Sequence, residues 1–267
     1  MPPVVSSGPN RRGEDRNKMR CYGVIDKGLV RKTNQDNYII AGNEVGDVFA
    51  VVCDGIGGGN GGDVASKMAI DYFSEVFSNH RGFKDLEDAT TWIRYHVAQA
   101  NERIYIRASQ VKDYKGMGTT LVACLVSKVG TLVVNVGDSR CYGVINDTLT
   151  QITRDHNLVN DLLDRGEITP EEAKTHPKRH VLTNALGVWS TCRIDIYQVS
   201  QPLKGYLLCS DGLYGYVSHT EIEKVITGSS MTSGYKARKL LNLALKAGGY
   251  DNISLIYIDM EEGSGHE

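Results

Sequence analysis

Val48-Phe49-Ala50-Val51-Val52-Cys53-Asp54-Gly55-Ile56-Gly57-Gly58 is the stretch on which the reading of this chain turns. Its first six residues are apolar without a break and rich in β-branched side chains. That pattern predicts a strand covered on both faces, because a half-exposed strand would alternate. An aspartate and a glycine follow where such a strand would leave its sheet. Similar runs recur through most of Thr119–Val126 and at Thr131–Val136, Gly205–Cys209 and Ile253–Ile258. The first two are joined by Ser127-Lys128-Val129-Gly130, a hairpin-sized link.

Between the strand-like runs, apolar residues change to helical spacing. Ala65, Ala69, Tyr72, Phe73, Val76 and Phe77 form one stripe. Ile93, Val97, Ala100, Ile104 and Ala108 form a longer one, and Ala237, Leu240, Leu241, Ala244 and Leu245 a third. Helices are too few for a regular βαβ alternation. The expected fold is therefore α+β: a β-sandwich of two antiparallel sheets flanked by α-helices. Asn157–His180 is polar and helix-prone and reads as a small flap subdomain, 157–180. Within it, Thr169-Pro170-Glu171-Glu172 has the N-cap, first-turn proline and N3 glutamate of a helix start. Residues 1–19 and 261–267 read as flexible tails around a domain at 20–260.

Composition narrows the function. With 267 residues, 41% of them apolar, the chain is long enough for a substantial core. A net charge of −2 argues against a nucleic-acid partner. No apolar run is long enough to span a bilayer, and no signal-peptide core is present, so a cytoplasmic protein with no membrane partner is expected. Cys21, Cys53, Cys124, Cys141, Cys192 and Cys209 show no C-x-x-C pairing, and most sit in apolar runs, so free buried thiols are expected.

The aspartates carry the chemistry. Asp54 ends one strand-like run, Asp211 follows another, and Asp138 follows a third through Gly137. Asp251 stands just before a fourth, and Asp36 lies in Arg31-Lys32-Thr33-Asn34-Gln35-Asp36. Any single Asp-Gly pair could simply make a turn. Several carboxylates at the ends of core strands would converge, however, and would repel one another unless cations neutralised them. Oxygen-only ligation suits Mg²⁺ or Mn²⁺ better than zinc. Gly55 would let the main chain approach such a cation with its carbonyl. The glycine-rich loop at 57–62 lacks the lysine of a nucleotide-binding P-loop.

Six motifs in order complete the picture: Arg31-x-x-Asn34-Gln35-Asp36, Val52-Cys53-Asp54-Gly55-Ile56-Gly57-Gly58, Met117-Gly118-Thr119-Thr120, Val136-Gly137-Asp138-Ser139-Arg140, Ser210-Asp211-Gly212-Leu213 and Asp251-Asn252. Together they resemble the protein phosphatase 2C family, the metal-dependent serine/threonine phosphatases, in its bacterial form. The resemblance covers about residues 20–260. It implies two divalent cations, manganese or magnesium, in a cleft at one end of the sandwich. Asp54 would bridge them, with the Gly55 carbonyl on one and Asp211 and Asp251 on the other. Asp36 would act through water, and Asp138 with Asp211 would take a third, weaker metal. Arg31 would bind the substrate phosphate. The implied reaction is direct attack on phosphorus by a water or hydroxide bridging the two metals, with Asp54, Asp211 and Asp251 as the catalytic set.

The implied partners are phosphorylated proteins and an opposing serine/threonine kinase, and a monomer is expected. An inactive, partner-binding version of the fold should have lost metal aspartates, whereas all five remain here. A phosphatase dedicated to one regulatory partner is a further reading. The sequence departs from family patterns at two places. Ile56 stands where eukaryotic members place a histidine, and it cannot donate a proton. Asn184 stands where many bacterial members have arginine. His156 and His180 border the flap and read as structural.

Overall fold

The computed structural model describes residues 19–57, 61–229 and 231–260. The expected tails lie outside these residues, apart from Met19, which packs against the core between the sheets. In chain order the elements are β1 (Arg20–Asp26), β2 (Asp36–Gly42), β3 (Val48–Ile56), α1 (Gly62–Ser78), α2 (Leu86–Gln110), β4 (Gly118–Thr119), β5 (Leu121–Ser127), β6 (Gly130–Val136), β7 (Arg140–Ile145) and β8 (Thr148–Gln151). There follow α3 (Leu158–Asp164), α4 (Pro170–Thr175), β9 (Asp195–Val199), β10 (Gly205–Cys209), α5 (Asp211–Tyr214), α6 (His219–Ile226), α7 (Ser233–Lys246) and β11 (Ile253–Asp259).

The strands form two sheets, in the orders β1-β11-β10-β7-β8 and β2-β3-β5-β6-β9, with β4 paired to β3. All named pairings are antiparallel. This is the expected helix-flanked sandwich, and its layering explains the unbroken apolar runs. On β3, Phe49, Val51 and Cys53 pack toward α1 and α2. Ala50 and Val52 pack toward the other sheet, against Tyr206, Leu208, Ile256 and Ile258. The opposite face of that second sheet carries Leu207, Cys209, Leu255 and Tyr257 against α6 and α7. Both faces of the central strands are dry, so neither alternates. Cys21, Cys53, Cys124, Cys141 and Cys209 are buried free thiols, and Cys192 is half-buried.

The flap region contains two short helices. Asn157 caps α3 by accepting a hydrogen bond from the Asn160 N–H at 2.9 Å. Thr169 and Glu172 form the anticipated reciprocal capping box at α4, with Pro170 in the first turn. Backbone bonds from Leu158 N–H to Val181 O and from Thr183 N–H to His156 O close the base of the excursion.

Candidate metal centre

β2 and β3 run side by side in a register that sets Asp36 opposite Asp54. The placement follows from the hydrophobic pattern: with Val51 and Val52 fixed in the core, the first polar residue of the run emerges at the sheet's end. Asp54 is held there through its backbone. Its N–H donates to Thr120 Oγ1 at 3.0 Å, and its carbonyl accepts from Thr119 Oγ1 at 3.0 Å and from the Thr120 N–H at 2.8 Å. Thr120 in turn shares a hydroxyl hydrogen bond with Ser139 at 2.7 Å. The Met117–Thr120 and Val136–Arg140 motifs thus brace the strand end that carries Asp54.

Asp36 is almost wholly buried. Its Oδ2 accepts hydrogen bonds from both Ser210 and Ser254 hydroxyls at 2.7 Å. Its Oδ1 is buried without a hydrogen-bond partner. Burial raises the Asp36 carboxyl above the ordinary carboxylate range; the two serines pull it back, and the charge of Asp211 adds to the rise. Asp54 is pushed up more strongly, by burial first and then by the charges of Asp36, Asp211, Asp138 and Asp251. That list places four other carboxylates within electrostatic reach of one side chain.

Asp211 opens α5 directly after β10, and burial followed by the Asp251 charge raises it. Asp138 lies after β6 in a buried turn, where burial and then Asp211 and Asp155 raise it to about 8. The Tyr214 hydroxyl donates to the Asp138 carbonyl at 2.8 Å. Asp251 is held by Arg31, whose Nη2 lies 2.8 Å from Asp251 Oδ2. The predicted carboxylates therefore share one end of the sandwich, with Arg31 on its rim. They do not form a closed cluster: among the described residues no three His, Cys, Asp or Glu side chains already stand as a compact ligand set. Arg31 and the serines hold individual oxygens instead.

Gly55 carries a packing constraint as well. A Cβ there would stand 2.1 Å from the Gly62 carbonyl oxygen and 2.6 Å from that of Gln35, so no side chain fits between the 35–36 turn and the start of α1. The residues present suit a hard cation. The donors are all oxygen, the like charges lie close together, and among the described residues the buried carboxylate oxygen left without a hydrogen-bond partner belongs to Asp36.

Asn252 has a role that its place in a motif did not disclose. Its Oδ1 accepts from the Gln35 N–H at 2.8 Å, and its Nδ2 donates to Lys27 O and Thr33 O at 2.8 and 3.0 Å. One amide thereby fixes the loop that presents both Arg31 and Asp36. Ser254 was also missed. The available signal was a small polar residue inside the otherwise apolar run of β11.

His156 is fully buried; its Nδ1 accepts from the Gly137 N–H at 3.1 Å, and its Nε2 faces Asp195 Oδ2 at 3.0 Å. Burial lowers its pKa, so it serves as a neutral brace for the Asp138 turn. Asn184 spans His156 and the Arg193 backbone. It makes no contact with the carboxylates. His180 and Arg179 line a cleft of about 640 Å³ that also touches Asp138 and Asp211.

A double antiparallel sheet with strand-end aspartates at one edge defines the class. Comparison defines the family within it: residues 29–245 match the pattern described as "Protein phosphatase 2C". The chain is 38% identical over 235 residues to the serine/threonine phosphatase stp of Listeria welshimeri, covering 88% of this chain and 93% of that protein. It superposes with a TM-score of 0.84 on serine/threonine phosphatase Stp1 from Staphylococcus aureus, at 33% identity, covering 96% of this chain and all of that one. A solved catalytic domain of the serine/threonine phosphatase PstP in complex with two manganese ions is also similar, at 32% identity and a TM-score of 0.75, covering 91% of this chain and 98% of that one. The chain belongs to the protein phosphatase 2C family.

Proposed function

We propose that this chain is a divalent-metal-dependent protein phosphatase that hydrolyses phosphoserine and phosphothreonine. The observation that carries the reading is Asp54 set opposite Asp36 at the strand end, with Asp138, Asp211 and Asp251 within electrostatic reach, in a chain whose residues 29–245 match the family. Asp54, Asp211, Asp251 and the Gly55 carbonyl would hold two cations, manganese or magnesium, with Asp36 beside them. Asp138 with Asp211 would hold a third and weaker one. Two manganese ions in the similar PstP domain support the two-cation part. Bound cations supply Lewis acidity, offsetting phosphoryl charge and making water acidic enough to attack phosphorus.

The chain's own groups have distinct tasks. Ser210 and Ser254 fix Asp36 Oδ2 and leave Oδ1 without a hydrogen-bond partner. Arg31 would exchange its carboxylate partner for a phosphoryl oxygen, a change its half-exposed position permits. Ile56 has no acidic proton to give, so a water would take the part of leaving-group acid. The phosphatase domain would span 20–260, with 157–180 as its flap. Phosphorylated proteins are the partners, opposed by a serine/threonine kinase. A monomer in the cytoplasm is part of the same reading; among the described residues no helix is long and apolar enough to cross a membrane.

The test is hydrolysis of p-nitrophenyl phosphate and of a panel of phosphothreonine peptides with Mn²⁺, Mg²⁺ or excess EDTA. Full turnover in EDTA would sink the reading, and turnover of a single peptide alone would indicate one dedicated partner. Asp138→Ala should retain two cations by calorimetry and lose more activity on peptides than on p-nitrophenyl phosphate, whose leaving group needs little protonation. Equal losses on the two substrates would remove Asp138 from leaving-group chemistry.

A further inference from the structure

An exposed apolar ridge borders the acidic centre. Leu29 is 71% exposed, Val30 60%, Tyr250 53% and Tyr216 42%. These residues form one surface. The N–H groups of Leu29 and Val30 both donate to the Gly249 carbonyl, at 2.7 and 3.3 Å. Gly249, at φ 52°, lies so close beneath Leu29 that an added Cβ would be 2.9 Å from Leu29 Cγ. Tyr250 follows directly, and its ring meets that of Tyr216 at a centroid distance of 5.5 Å.

The ridge is continuous with the site through the chain itself. Arg31 follows Val30 and Asp251 follows Tyr250, and these two neighbours are joined at 2.8 Å. Tyr216 also lines the cleft that reaches Asp138 and Asp211. The backbone bonds to Gly249 set Leu29 and Val30 in place, so the surface is formed before anything binds to it. Two aliphatic side chains more than half exposed beside two aromatic rings make a patch that water covers poorly.

We infer that this ridge receives an apolar side chain of the phosphoprotein substrate, adjacent to its phosphorylated residue. The inference rests on the phosphatase reading above. Reach supports it. An extended peptide advances roughly 3.3–3.6 Å per residue. With the phosphoryl group at Arg31, the next one or two residues come within reach of positions 29–30 and 250. The four ridge side chains carry no formal charge, so they reward burial of a leucine, phenylalanine or similar group. The cleft wall differs: it carries charges of both signs, with Arg154, Lys174 and Arg179 beside Asp138, Asp155 and Asp211. Selection by the ridge is therefore separate from recognition of the phosphate.

The experiment compares two phosphothreonine peptides that differ only beside the phosphoresidue, one carrying leucine or phenylalanine on each side in turn and the other serine. Wild-type turnover of p-nitrophenyl phosphate with Mn²⁺ is established first, so failure of the phosphatase reading shows itself separately. The wild type should favour the apolar-flanked peptide by roughly tenfold in kcat/KM, mostly through KM. In Leu29→Ser/Tyr250→Ser that ratio should fall toward one. Val30→Ser alone, at a position whose side chain is more than half exposed, should lower it in part. Tyr250→Phe should preserve it. A wild type indifferent to the flanking residue overturns the proposal, as does a ratio unchanged in both Val30→Ser and the double variant. Sedimentation of the same proteins decides the other occupant. A dimer that dissociates on Val30→Ser, with peptide selection unaltered, would assign the ridge to a second copy of this chain and reject the substrate role.

Discussion

Asp155 and Asp36 are both nearly inaccessible, at 4% and 2% exposure, yet the fold completes one and leaves the other unfinished. Asp155 receives Arg140 through Nε at 3.0 and 3.2 Å and Nη2 at 2.7 Å, and Gln151 Nε2 adds a bond at 3.0 Å. The Arg140 guanidinium also lies over the Tyr214 ring, 3.6 Å from its centroid. Burial works against the Arg140 charge, but its hydrogen bonds to Asp155 together with the electrostatic pull of Tyr142, Asp155 and Tyr214 outweigh that and raise its pKa. Asp36 has two serine hydroxyls on one oxygen and nothing on the other, and it faces Asp54 across the strand pair. Buried charge alone therefore does not mark a functional centre. What distinguishes the Asp36–Asp54 region is negative charge that the protein does not itself neutralise.

The sharpest way to break this contrast is Asp54→Asn. Turnover should fall by roughly a thousandfold or more, about 4 kcal/mol or more in barrier. Cation-free stability should rise, because a crowded carboxylate has been removed. The sign follows from linkage. Folding raises the pKa of Asp54, so the native state keeps protons that the unfolded chain releases above about pH 4. In chelator, the Asp54 contribution to stability is thus lost as pH rises above that value, and Asp54→Asn should flatten the decline. Thermal unfolding in EDTA from pH 4 to 8 measures it. A variant less stable than wild type throughout would show that the site is not strained by its charge.

Arg140→Met probes the completed cluster. It leaves Asp155 buried without its ion partner and should cost about 3 kcal/mol in denaturant unfolding. Here the loss should be one of stability, with cation affinity altered much less than by Asp54→Asn. A milder intervention sharpens the unfinished side. Ser254→Ala deletes one of two donors to Asp36 and should weaken Mn²⁺ binding by roughly 10–100-fold in calorimetry. Unchanged affinity would mean that Ser210 alone orients the carboxylate. Smallest of all, Asp164→Ala breaks the exposed pair with Arg154, whose side chains are 45% and 61% accessible. Unfolding free energy should move by no more than about 0.5 kcal/mol.

The strands legible in the sequence were those buried on both faces, such as 48–53 and 205–209, because their apolar runs are unbroken. β1 and β7, each of which carries a glycine and a tyrosine, were not legible by the same signal. Gly23 of β1 is small because the Tyr38 ring lies across it, with Cε2 only 2.2 Å from where a Cβ would be. No local pattern announces such a contact. The same limit applies to the site. The aspartates stood out through their positions at strand ends, and their convergence follows from the sheet. That Ser210 and Ser254 would both meet Asp36 could not be read, since they lie 174 and 218 residues away in sequence. Likewise, His156 could be named as structural, but its grip on the Gly137 turn needed the fold.

The Asn252 amide, which holds the loop before Asp36, joins residues 217 to 225 positions apart. Such a long closure has an entropic cost that must be met before the contact contributes anything. The sheet containing β2 and β3 can acquire much of its helix packing from residues before 140, whereas Arg31 and Asp36 are seated only when β11 docks. During synthesis the chain must therefore extend past residue 254 before this loop and Asp36 are both seated. A copy interrupted before β11 can hold folded layers and still lack the seated carboxylate, so the arrangement is completed in one step by that strand rather than growing with the chain.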